Sequence, residues 1–417
     1  MFGLIDGNSF YCSCERAFNP KLRGKPLIVL SNNDGCAIAR TMEAKNLGVK
    51  MGDPWHLIKN KPEMKNVVWL SSNYELYGDM SRRMYQVLES IVPAVEPYSI
   101  DEMFLDFRGL PQAYVLSHEA RDKVRAIAKI PTCVGIGQTK TIAKLANGIA
   151  KDQPNWSGVC DMSDPEVRDS IYASTSLGEV WGMGPASVEK AAKLGAYSIA
   201  EFVALPTDLI RKSMTVVGLR TQAELRGQSC LTMAYAPPPK KMLAVTRSFG
   251  RAVTSKAELR QAVATYAEMA GKRLRTAGLY AAGMQVFIET NEFAPRDPQY
   301  NATRTFAIET TADTRALISS ALRALEAMWR DGYRYAKAGV VLLDLYVPQQ
   351  VVPSLFPTRN PTRSAALMRA MDAIADRHGR GAVRVASTAP AGNWNMKRQR
   401  LSPRYTTAAD EMLAASV

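Results

Sequence analysis

The stretch YSIDEMFLD, residues 98–106, sets two adjacent carboxylates, Asp101 and Glu102, inside what otherwise reads as a buried strand over 99–107. Val95, Ile100, Met103, Phe104, Leu105 and Phe107 supply its apolar character. Neighbouring side chains on a strand point to opposite faces. At least one acid is therefore expected to face inward or to line a site, and a charge taken out of water needs a partner.

A third acid, Asp6, ends the apolar run FGLID at Gly7-Asn8. If these two strands are neighbours in one sheet, three carboxylates converge. Three hard oxygen donors with no histidine or cysteine suit Mg²⁺. Two such ions stabilise the attacking and leaving oxygens of an in-line phosphoryl displacement. They also offset the repulsion that would otherwise push the carboxyl pKa values up. An Asp-Glu pair more often marks an exposed turn or sheet edge, but the apolar flanks argue against that here. Asp106, a fourth acid on the strand, is expected to be structural.

Apolar runs at 2–6, 26–30, 66–71 and 131–137 read as strands, and 41–49, 73–91, 116–129 and 139–151 as helices. The alternation predicts an α/β domain on one sheet over roughly the first 165 residues. Within 177–202, Gly182-Met183-Gly184-Pro185 precedes a helix ending near Gly195. Two glycines before a helix N-terminus can present amides and the helix dipole to a phosphate. A plain connector between helices is the other reading of that segment. YAPPPKK, 235–241, has linker composition. Strands at 244–253, 282–290 and 338–347, with helices at 255–276 and 314–329, make a separate α+β unit.

The 417 residues predict two to four domains. Residues 1–239 carry 27 Lys and Arg against 25 Asp and Glu, and residues 240–417 hold the remaining 26 of 53 against 14 of 39. The net charge of +14 is thus concentrated in the C-terminal part, the electrostatic footprint of a phosphate backbone. No apolar run reaches the ~18 residues of a membrane span, and MFGLIDGNSF lacks a targeting pattern, so a cytoplasmic protein is expected. The six cysteines show no complete zinc set and read as reduced, structural thiols.

Three motifs in order, LIDGNSFYCSCE, SIDEMFLDF and VGIGQTKTIAKLANGIAK, together resemble the palm of a Y-family DNA polymerase. The glycine pair lies where that family has its helix-hairpin-helix, and TRSFGRAVT (246–254) is similar to the opening strand of its little finger. SNNDGCAIARTMEAKNLGVKMGDP (31–54) and WNMKRQRLSPRYTT (394–407) resemble the family's bacterial SOS-response branch. The resemblance spans essentially the whole chain. It implies a right-hand polymerase: palm at 1–24 and 73–165, small fingers at 25–72, thumb at 166–235, linker at 236–241, little finger at 242–347 and a C-terminal region at 348–417.

It also implies error-prone, template-directed translesion synthesis without proofreading. Asp6, Asp101 and Glu102 would bind two Mg²⁺ ions and carry catalysis. Tyr11 would be the steric gate against a ribose 2′-hydroxyl, and Phe10 would stack beneath the sugar. Gly7, Asn8, Ser9 and Phe10 would approach the triphosphate, which Arg40, Lys45 and Lys151 would also meet. Gly182, Gly184, Arg247, Arg251, Lys272, Arg273 and Arg275 would hold DNA. Ser354, Leu355 and Phe356, in VPSLF, resemble a peptide that docks on the sliding clamp. A cleaved UmuD-type dimer and a RecA filament are the further partners implied, beside primer–template DNA and dNTP.

Overall fold

The computed structural model describes residues 1–235, 238–352, 354, 357–379, 381–388, 392 and 394–411. They form two compact units. The first comprises Met1–Ser31, Gly35–Pro237 and Gln399–Val417, and the second Asn32–Asp34 and Pro238–Arg398.

In the first unit, β1 (Phe2–Gly7) runs directly into α1 (Phe10–Phe18). Then come β2 (Leu27–Leu30), β3 (Ala37–Arg40), the short helices α2 (Met42–Asn46) and α3 (Trp55–Ile58), and β4 (Val68–Ser71). Next are α4 (Tyr74–Glu89), β5 (Val95–Pro97), β6 (Glu102–Asp106), α5 (Ala113–Ala128), β7 (Thr132–Gly137), α6 (Lys140–Asp152) and β8 (Val159–Asp161). Four helices follow: α7 (Pro165–Ser174), α8 (Pro185–Ala192), α9 (Ile199–Ala204) and α10 (Thr207–Leu225).

Two sheets, not one, carry this alternation. The larger has the order β5-β6-β1-β7-β8 and the smaller β3-β2-β4. The four-residue strands of the smaller sheet bury their own cluster, with Ile28, Leu30, Ala37, Trp55 and Met64. An apolar run records burial but not which sheet buries it, so the sequence pattern merged the two. β1 is buried at every position, as a central strand covered on both faces requires.

α6 lies almost directly on β7. A Cβ on Gly135 would fall 2.0 Å from the Asn147 amide nitrogen, so only glycine permits this approach. Asn147 then donates its Nδ2 to the carbonyls of Leu4 (3.1 Å) and Cys133 (2.8 Å), tying the helix to two strands of the sheet. This fixes the height of the α6 side chains over the end of β1.

The second unit contains β9 (Leu243–Val253), α11 (Lys256–Thr276), β10 (Tyr280–Thr290), β11 (Asn301–Thr311), α12 (Thr314–Met328), β12 (Tyr335–Tyr346) and α13 (Pro361–His378). Its antiparallel sheet has the order β11-β10-β12-β9, with the two long helices packed against the sheet around Val245, Leu274, Met284 and Leu325. β11 is a strand that the apolar pattern does not announce. It is an edge strand with no buried position, and its sequence NATRTFAIETT is correspondingly polar.

The region beyond 347 does not stay together. Residues up to Arg398 group with the second unit, whereas residues 399–411 return to the first. The six cysteines are free, four of them buried. Burial pushes the Cys12 thiol up to about 12, as expected of an inert structural thiol. Among the described residues no helix is long and apolar enough to cross a membrane.

The α6–β7 contact makes a paired stability prediction. Gly135→Ala should lower unfolding stability by about 3 kcal/mol or more, because the clash is with backbone that cannot rotate away. Gly148→Ala, exposed on the same helix with nothing within 4 Å of its Cβ, should instead stabilise by about 0.5–1 kcal/mol. Urea midpoints of the two variants, compared with the parent chain, read both effects.

Candidate active site

β1 and β6 run antiparallel with Asp6 directly opposite Glu102. The Gly7 N–H donates to the Asp101 carbonyl at 2.9 Å, which brings the third acid to the same strand ends. Asp101 is not on the strand. It lies in a bend, and β6 begins only at Glu102.

Ser99 holds that bend. Its Oγ accepts from the amides of Asp101 (3.3 Å) and Glu102 (3.0 Å) and donates to Asp101 Oδ1 at 2.7 Å. The amides of Tyr98 and Ser99 in turn donate to the Glu102 carbonyl. The strand expected over 99–107 would have sent the two acids to opposite faces. The turn removes that alternation between them. Asp106, at the other end of β6, is paired with Arg108 at 2.6 Å and approached by the Tyr235 hydroxyl, as a structural acid.

Lysines from α6 meet this cluster. Lys151 pairs with Asp6 and Lys144 with Glu102, while Lys140 pairs with Glu96. Asp6 is 7% exposed, and burial raises its carboxyl to about 6. The Lys151 ammonium opposes that rise, whereas Asp101 and Glu102 add to it. Lys140 and Lys144 escaped the reading of the sequence, although they stand four apart on one helix, with Lys151 a further seven residues on. That spacing puts all three along one face.

Among the described residues, no three His, Cys, Asp or Glu side chains stand close enough to hold a metal ion. Two of the three acids are turned to ammonium groups instead. The backbone nevertheless gathers three carboxylates at one sheet end, and Lys151 and Lys144 place positive charge beside two of them. That donor set fits a hard divalent cation.

The turn from β1 to α1 forms one side of the site. Ser9 is left-handed (φ 46°), and its Oγ donates to the Arg40 carbonyl at 2.8 Å. Tyr11 is partly exposed; its ring stacks on Tyr77 at 4.5 Å and 18° and meets Tyr74 edge-on at 6.0 Å. Phe10 is 3% exposed and packs in the core with Ile5, beneath the chain rather than facing solvent. The ring also lies under Gly7, whose Cβ position is 2.8 Å from it. Arg40 ends β3 with Nε and Nη1 enclosed and without hydrogen-bond partners among the described residues. Lys45 is exposed on α2.

The remaining candidates lie elsewhere. Gly182 is left-handed (φ 86°), Gly184 caps α8, and Met183 between them is buried in the surrounding helical core. In the second unit, Arg275 is not a free cation: it grips Asp372 of α13 through two bonds of 2.6 and 2.8 Å. Lys272 pairs with Asp376 of the same helix and Arg251 with Glu258. Each of these three expected phosphate contacts is thus engaged in an ion pair within its own unit, Arg275 and Lys272 with carboxylates 97 and 104 residues away and Arg251 with one 7 residues on. Arg247 and Arg273 have no carboxylate partner among the described residues. Burial, and then the charges of Arg273 and Arg398, pull the Arg247 pKa down. Arg398 was not singled out in the sequence. Of the clamp-like peptide, Leu355 and Phe356 lie outside the described residues.

The fold is that of the Y-family DNA polymerases. A solved Y-family DNA polymerase chimera superposes with a TM-score of 0.66 at 18% identity, covering 83% of this chain and all of its own. Family models place the chain more narrowly. The impB/mucB/samB family model matches residues 5–148, its C-terminal domain 240–354, and a domain of unknown function 365–415. ImpB of Salmonella typhimurium is 43% identical over 98% of this chain and 97% of its own length. UmuC of Salmonella typhimurium strain LT2 is 41% identical over 99% of each. DNA polymerase IV of Moorella thermoacetica is 28% identical over 93% of this chain and 96% of its own. The chain belongs to the impB/mucB/samB family, the UmuC-type branch of the Y-family polymerases.

The electrostatics of the site are open to direct titration. In ¹³C-aspartate NMR the Asp6 carboxyl should titrate near about 6. Lys151→Met should raise that value and Asp101→Asn should lower it. An Asp6 titrating at about 4, the ordinary carboxylate value, would contradict the burial that the fold assigns to it.

Proposed function

We infer that this chain is an error-prone, template-directed DNA polymerase that extends primer–template DNA with dNTPs across damaged bases. The juxtaposition of Asp6 and Glu102 across the β1–β6 pair, with Asp101 bound to the Gly7 amide, carries the reading. Y-family polymerases generally work with divalent metal ions. Here we assign the ligands as Asp6, Asp101 and Glu102, and the ions as two Mg²⁺. When bound, such ions neutralise the transferring phosphoryl group and stabilise the attacking and leaving oxygens.

The chain's own residues supply position and charge. Asp6 must be ionised to serve, so a proton on its carboxyl competes with a cation for the same oxygens. Lys151 and Lys144, in pairing with Asp6 and Glu102, keep those carboxylates tolerable before cations arrive, and Lys151 can then turn to a triphosphate. The half-buried Arg40 guanidinium supplies a charge-assisted donor for phosphate oxygens. Lys45 adds charge, and the backbone from Gly7 to Phe10 approaches the triphosphate. Tyr11 excludes a ribose 2′-hydroxyl by its ring volume.

Duplex DNA is held through its backbone, without regard to sequence. The Gly182–Gly184 turn serves this in the thumb, and Arg247 and Arg273 in the little finger. Arg251, Lys272 and Arg275 contribute through the ion pairs that order those surfaces. We assign the palm, fingers, thumb and little finger the boundaries read from the sequence. A cleaved UmuD-type dimer, a RecA filament and the sliding clamp are the protein partners proposed, the last through residues 354–356. A bacterial cytoplasmic location accords with these partners.

Primer extension opposite an abasic site tests the catalytic assignment. Asp101→Asn should reduce extension by at least about a hundredfold; extension that survives the change would sink it. Tyr11→Ala should admit ribonucleotides in rNTP/dNTP competition with dNTP use largely retained. Mg²⁺ or Mn²⁺ affinity, measured by calorimetry, should weaken as pH falls through about 6, where Asp6 takes up its proton. An affinity flat between about pH 7 and 5 would remove Asp6 from the ligand set.

A further inference from the structure

The C-terminal residues 399–411 lie as a strap against the first unit, and they end on a buried acid behind the tyrosine proposed as sugar gate. The strap is fixed by backbone pairing first. Ser71 N–H donates to the Arg400 carbonyl at 2.9 Å, Arg400 N–H donates to Ser71 Oγ at 3.1 Å, and Ser71 and Leu401 form a parallel bridge. The Arg400 guanidinium stands 4.4 Å over the Trp69 ring, and Tyr405 stacks on Phe18 at 5.0 Å and 7°. Asn73, fully buried, caps α4 and donates to Ser402 Oγ at 2.9 Å and to the Pro403 carbonyl at 3.1 Å.

Ser402 in turn donates its hydroxyl to Glu15 Oε1 at 2.9 Å. Glu15 is 1% exposed on α1, one helical turn after Tyr11, and none of its ion pairs or hydrogen bonds among the described residues is to a cation. Its other donor is the Tyr77 hydroxyl, at 2.8 Å on the same oxygen. Tyr77 is itself fully buried, and its ring is the one that Tyr11 stacks upon. Two hydroxyl bonds therefore hold one buried carboxylate, and that carboxylate holds the ring behind the gate.

We propose that Ser402 is a positioning residue for sugar selection: from the C-terminal strap, through Glu15, it fixes the Tyr77 ring on which Tyr11 rests. The proposal rests on the reading of Tyr11 as the gate. A gate that separates two sugars by a single hydroxyl works only if its ring cannot yield by a fraction of an ångström. A buried, uncompensated carboxylate does not stay in place when one of its two donors is removed; it draws in water or a proton and moves. The ring bonded to it moves as well, and the stack on Tyr11 loosens. A bond between residues 387 apart in sequence thereby sets the stiffness of a side chain at the nucleotide's sugar.

Single-nucleotide incorporation by the full-length chain, with dNTP and rNTP opposite the same template base, tests this. The variants are Ser402→Ala, Ser402→Thr, Tyr77→Phe and Tyr11→Ala. Ser402→Ala and Tyr77→Phe should each lower the dNTP-over-rNTP ratio of kcat/KM by about three- to tenfold. The dNTP kcat should stay within about twofold, and Ser402→Thr should restore the parent ratio. If both variants keep the parent ratio while Tyr11→Ala loses it, the strap proposal is overturned and the gate stands. If Tyr11→Ala keeps the ratio, the gate reading falls and the proposal with it. Equal losses for dNTP and rNTP, accompanied by a lower Tm, would mean a role in stability alone and would overturn it too.

Discussion

Asp6, 7% exposed and within the field of two other carboxylates, is the charge around which the first unit is arranged. Buried like charges repel and lose hydration, and either effect alone would favour protonation. The fold meets this with cations delivered by a neighbouring helix. Lys151 and Lys144 reach Asp6 and Glu102 because α6 lies directly on β7, and α6 can lie there because Gly135 has no side chain. The Asn147 bonds to β1 and β7 lock that arrangement at its centre. Charge, helix height and strand register are therefore one constraint. The same ammonium groups that steady the acids stand next to where a polyanionic substrate would arrive.

A second arrangement surrounds α1. One edge of this helix carries Tyr11 toward the site, while Glu15 faces inward to Tyr77 and Ser402. The helix is thus gripped from behind by residues of α4 and of the C-terminal strap. The second unit uses ion pairs in a comparable way. Arg275 and Lys272 of α11 fasten α13, which leaves Arg247 and Arg273 as cations without such partners among the described residues. The basic excess of the C-terminal part is therefore not uniformly available to a phosphate backbone. Part of it is structural.

Much of the site was legible because its signals are local. Two acids in an apolar setting, and a third closing an apolar run, are unusual enough to be noticed without coordinates. The helices over 73–91 and 139–151 were equally legible, and in the fold Asn73 and Thr139 supply their side-chain caps. What escaped had weak or ambiguous local signals. β11 is polar because it is an exposed edge, so nothing in its hydropathy distinguishes it from a loop. The small sheet and the large one are built from similar apolar runs. Phe10 and Tyr11 are adjacent aromatics, and only packing shows that one is buried and the other is partly open.

The sequence by itself determined which three acids stand at the ends of apolar runs, the sign of the charge in each half and the alternation of strands and helices. These depend on composition and on periodicity over a few residues. The tertiary structure alone decided that Asp101 sits in a turn and so escapes strand alternation, because Ser99 closes that bend. It alone decided which cations are free, since Arg275 finds Asp372 across 97 residues. It alone returned residues 399–411 to Glu15. Each of these is a contact between groups far apart along the chain. Such contacts leave no periodic trace in a sequence, because a hydrogen bond fixes distance in space and not separation in the chain.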